Sequence, residues 1–130
     1  MLISQNPHNE KIIAEYQEYS SVQVRDIISN VLSEQSSWGN SQPKERADCI
    51  LNISSTLKSE KKNLAELITN EMGKPVSESI SEIEKCIWLC KYYSEKVDEF
   101  LTPEIIKTDA NKTEIHLDPL GIVLGVMPWN

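Results

Sequence analysis

Cys86 and Cys90 stand four residues apart, a spacing that puts two thiols on one face of a helix. A metal site built on them would need about two more ligands. The histidines, His8 and His116, lie far off in segments that read as loop and strand. Cys49 sits alone on another helical segment. A nucleophilic thiolate needs a base or an anion site beside it, and the sequence places neither next to these cysteines. They are expected to be small buried hydrophobes in a reducing compartment. Glu82 and Glu84 point to different sides of a helix and are no acid–base pair. Glu45, Glu60, Glu66 and Glu78 fall on charged helical faces that read as solvated surface. Gly39, Gly73, Gly121 and Gly125 form neither GxGxxG nor a phosphate loop, and no serine sits in G-x-S-x-G. The last stretch, DPLGIVLGVMPWN from Asp118 to Asn130, raises a different question: nothing after it would cover Ile122, Val123, Leu124, Val126 and Trp129.

The elements that must position these residues follow from composition and periodicity. The chain has 130 residues, 39% hydrophobic and 25% charged, enough for one modest core and too apolar for disorder. A net charge of −7 repels phosphate backbones and anionic lipid, which argues against nucleic acid and membrane as partners. No run approaches the roughly 20 apolar residues of a membrane span. The opening MLISQNPHNEK has no signal-peptide pattern, so a cytoplasmic protein is expected.

Residues 2–18 read as two short extended segments around the turn-rich NPHNE. Ser20 and Gln23 form a capping-box pattern, and Val24, Ile27, Ile28, Val31 and Leu32 then mark one apolar helix face. Gly39 and Asn40 stop that helix. Pro43 opens a second, with Ala47, Ile50, Leu51, Ser54 and Leu57 inward. Ser59 is expected to cap a third, with Leu64, Leu67, Ile68 and Met72 inward, ended by Gly73 and Pro75. The fourth is expected from Val76 to Leu101, its stripe of Ile80, Ile83, Ile87, Cys90, Val97 and Leu101 broken at Ser94. Pro103 closes the helical half. KTEIHL, from Lys112 to Leu117, alternates like a strand. IVLGVM, from Ile122 to Met127, is a continuous apolar run that suits a strand buried on both faces of a parallel sheet. A single such strand has no sheet to join here, so the domain is expected to be incomplete.

ITNEMGKP, from Ile68 to Pro75, stands ahead of a long helix, and DPLGIVLGVMPWN follows near 50 residues later. Together they resemble the aldehyde dehydrogenase superfamily, whose members carry an E-x-GKP segment and a P-x-G-hydrophobic run into P-W-N. NPHNEKI is similar to the family's NPATGE-type opening, with HNE departing from it. Trp38 and ERADCILNISSTL fall where members have their W…RA…L pattern. Among members, EIEKCIWLCKYYSE and IHLDPLGIVLGVMPWN are most similar to bacterial succinate-semialdehyde dehydrogenases.

The resemblance implies an α/β fold. Residues 1–130 would be the incomplete N-terminal part of a Rossmann-like cofactor-binding domain, helix-rich here with a few short strands. It implies oxidation of an aldehyde to the carboxylate with NAD or NADP. Met127, Pro128 and Trp129 would line the cofactor. Asn130 would donate its side-chain amide to the oxyanion of the thiohemiacetal, a role that needs no proton gain or loss. The nucleophilic cysteine and the general-base glutamate of members come later, and Cys49, Cys86 and Cys90 do not match the nucleophile. Gly73-Lys74-Pro75 is a family signature whose physics is structural. Residues 112–118 match the strand that members use for subunit pairing, which implies a homo-oligomer. The isolated chain is expected to be inactive and prone to associate through its apolar end. The alternative is a truncated non-catalytic protein that pairs with full-length subunits.

Overall fold

The structure is a computed structural model and describes residues 1–127. It opens with a hairpin of β1 (Leu2–Gln5) and β2 (Ile12–Tyr16), antiparallel with an irregularity between Ser4 and Gln5. The side chain of Asn6 accepts from the backbone N–H of His8 at 2.9 Å and closes the turn. Four helices follow among the described residues: α1 (Ser21–Asn40), α2 (Pro43–Ser59), α3 (Lys61–Met72) and α4 (Val76–Leu101). A second antiparallel pair, β3 (Glu104–Ile105) and β4 (Glu114–Ile115), ends the regular structure. No helix among the described residues is long and apolar enough to cross a membrane.

Local chemistry explains most boundaries. Ser20 caps α1 through a complete capping box with Gln23. Pro43 occupies the first turn of α2, where its missing N–H costs nothing. Gly73 ends α3 at φ 72°, a left-handed conformation that suits glycine. The α4 bounds match the expected ones at both ends. One detail differs. Ser59 is the last residue of α2 and its hydroxyl donates to the Thr56 carbonyl; Glu60 stands at the junction as the N-cap residue of α3, without a side-chain cap bond. α1 ends at Asn40, as expected, with Ser41 as its extended C-cap.

The core lies where α4 packs along α2 and α3. Its buried residues are small: Ala47, Ser54, Ala65, Ser79 and Ser94, with Ile83 the one large apolar side chain among the buried described residues. Small side chains let helix axes approach closely, and two of the buried hydroxyls, those of Ser54 and Ser79, have hydrogen-bond partners. Ser54 donates to the Ile87 carbonyl at 3.4 Å, and Ser79 exchanges a hydrogen bond of 2.9 Å with Thr69. Ser94, read as a break in the α4 stripe, is thus part of the seam. Leu51, Leu67 and Leu101, expected inward, are exposed. So is the whole α1 stripe: Val24, Ile27, Ile28, Val31 and Leu32 are exposed, and α1 buries no residue. The stripe is apolar, as periodicity indicated, but among the described residues it does not form a core face; of its members, Val31 shares a cleft with Ile122 and Val123.

Residues 122–127, expected as a buried strand, form no strand. A strand is stable only with a hydrogen-bonded neighbour, and the two described sheets hold two strands each, neither beside this run. β3 was not foreseen; two residues after Pro103 carry no usable alternation.

The hairpin is fastened to the end of α3. Ser4 donates to the Glu71 carboxylate at 2.6 Å, and Asn6 meets Asn70 at 3.4 Å. Pro7 covers Gly73 so closely that a Cβ there would stand 2.9 Å from the proline Cγ. The NP and GKP motifs therefore meet in space. Gly73→Ala is expected to destabilise the chain by about 1–3 kcal/mol, from the left-handed backbone and the clash together. In urea unfolding, Pro7→Ala should recover part of that loss. Strictly additive costs would show that the contact carries nothing.

Candidate functional site

The candidate site is the segment from Leu117 to Met127, which runs past the corner where α1 meets α2. Arg46, from the first turn of α2, donates to the Ser41 carbonyl and, at 3.3 Å, to its hydroxyl. Ser41 returns its own hydroxyl to the Trp38 carbonyl at 2.6 Å and its N–H at 3.2 Å. Gln42 N–H donates to the Glu45 carboxylate at 3.1 Å. The connection between the helices is thus held by side chains on both sides. Against it lies the segment leaving β4. Leu117, Asp118, Pro119 and Gly121 share a cleft of about 410 Å³ with Gln35, Trp38, Pro43 and Arg46. An adjoining apolar cleft of about 560 Å³ lies between Trp38, Ile50, Val97, Phe100 and Leu117.

Gly121 turns the chain at φ 92°, a value that strains a side-chain-bearing residue. Ile122 and Val123 then pass Val31 and Trp38. Beyond them the run is open, and Met127 is exposed. Of the residues implied by the resemblance, Met127 is the one described; Pro128, Trp129 and Asn130 lie outside the described residues. On the strand before this segment, the Glu114 carboxylate takes Lys112 at 3.0 Å and His116 at 3.1 Å.

The other chemistry-bearing residues stay apart. No group of three or more His, Cys, Asp or Glu among the described residues could hold a metal. Glu82 pairs with Lys74 and Glu84 with Lys61, so both are tied to α3 or the turn after it. Lys74 therefore acts as a structural cation. Asp48, hydrogen-bonded to Lys44, holds that ammonium above its ordinary pKa, and Glu99 does the same for Lys96. A raised lysine stays charged, the opposite of what a general base requires. The cysteines depart from expectation: Cys49 and Cys86 are exposed and Cys90 is half-buried. The α4 stripe faces α2 at Ile83 and Ile87, and Cys86 lies one step off it.

One cluster escaped the sequence reading. Trp88 stacks on Tyr92 with ring centroids 5.5 Å apart, and Tyr92 and Tyr93 reach Phe100 at 6.0 and 5.9 Å. The Trp88–Tyr92 spacing of i,i+4 was the available signal. These rings lie on the exposed side of α4.

Comparison with known proteins places this geometry. The aldehyde dehydrogenase family profile matches residues 2–130. The NADP(+) succinate-semialdehyde dehydrogenase of Deinococcus radiodurans is 28% identical over 96% of this chain and 26% of its own length. The lactaldehyde dehydrogenase of Methanococcus aeolicus is 30% identical over 96% of this chain and 27% of its own. The solved succinic semialdehyde dehydrogenase of Streptococcus pyogenes, in complex with NADP+, superimposes with a TM-score of 0.80 at 22% identity. It covers 85% of this chain and 24% of that one. The chain thus spans about a quarter of the length of the relatives it matches.

The cysteine geometry makes a prediction. In the native chain a thiol-specific disulfide reagent should label Cys49 and Cys86 rapidly and Cys90 at least several-fold more slowly. Equal rates at all three positions, read by peptide mass, would contradict the packing of α4 on α2.

Proposed function

The chain belongs to the aldehyde dehydrogenase family, and we propose that it forms the N-terminal part of an NAD(P)-dependent enzyme that oxidises succinate semialdehyde to succinate. The family match across residues 2–130 carries this reading. The choice of aldehyde is supported by relatives that bear that name, including the Deinococcus radiodurans protein.

In the proposed reaction a nicotinamide cofactor supplies the hydride acceptor. Met127 suits a place beside it: the side chain is apolar, exposed and unclaimed by the core. Pro128 and Trp129 would continue that lining. Asn130 would hold its side-chain amide toward the oxygen that becomes negative when a thiolate adds to the aldehyde carbon. A neutral N–H donor stabilises that charge and stays in the same protonation state throughout. The nucleophile and the base that activates water would come from the part of the family fold beyond this segment. Residues 112–118 would supply a subunit-pairing strand of a homo-oligomeric cytoplasmic enzyme. In support, β4 is bonded to β3 on one side, and among the described residues nothing pairs with its other edge.

Kinetics test the reading. An enzyme carrying this segment should form NADH or NADPH from succinate semialdehyde. Asn130→Ala should lower its kcat by roughly 10²–10³ with a smaller change in KM. An unchanged kcat would remove Asn130 from the chemistry, and inactivity toward every aldehyde would remove the enzyme reading. The 130 residues alone should form no reduced cofactor.

A further inference from the structure

We draw no further inference here: the strongest candidate, the aromatic surface patch of Trp88, Tyr92, Tyr93 and Phe100 along α4, is an apolar face whose exposure belongs to a chain about a quarter as long as the relatives it matches, and nothing among the described residues shows what covers it.

Discussion

How closely α4 can approach α2 and α3 governs the rest of this molecule. Alanine and serine line that seam, and Ile83 is the single large side chain buried in it. Helix axes usually lie about 8–10 Å apart, and small residues favour the lower end of that range. Close approach multiplies weak dispersion contacts along 26 residues of α4. It also demands that every buried hydroxyl find a partner, because an unpaired one would cost more than the contact returns. No buried side-chain nitrogen or oxygen among the described residues lacks a partner. The buried polar groups of the seam are therefore satisfied, and α2, α3 and α4 pack along it.

From that seam the remaining parts take their places. The hairpin hangs on the end of α3 through Ser4, Asn6 and Pro7, so the opening motif and the glycine-proline motif work as one joint. α4 carries the chain the full length of the bundle, to Pro103 and the short β3–β4 pair. That pair delivers Leu117 to the corner between α1 and α2. Among the described residues, two of the apolar surfaces left open are the α1 stripe and the run after Gly121. They adjoin at Val31 and Trp38. For a family whose matched members are about four times as long, apolar surface of this extent reads as interface, not as defect.

The sequence revealed the helices well because their boundaries are local chemistry. Ser20 with Gln23, Pro43, and Gly73 with Pro75 each act within one turn, and α4 could be bounded at both ends from them. Burial was harder to read. The stripe of Val24, Ile27, Ile28, Val31 and Leu32 tells which face is apolar but not whether a partner packs on it. Ser79 and Ser94 look polar in sequence and are buried because the helices approach at those positions. Residues 122–127 read as a strand from their composition, yet strand formation depends on a neighbour that no local pattern supplies. Cys86 was misplaced by a single helical step, about 100° of rotation, which separates the seam from solvent. Of the site, the motif at the end of the chain was legible; the corner that the segment runs past was visible only as Trp38 and Arg46-Ala47, two parts of a family pattern without a stated task.

The proposed function puts the Asn130 amide at the reacting oxygen of an aldehyde dehydrogenase. The most direct test is a crystal structure of an enzyme carrying it, trapped with NADP+ and an aldehyde held as the thiohemiacetal. The Asn130 side-chain nitrogen is expected within about 3 Å of the thiohemiacetal oxygen, with Met127 against the nicotinamide. An Asn130 amide turned into the protein, with another donor on that oxygen, would contradict it.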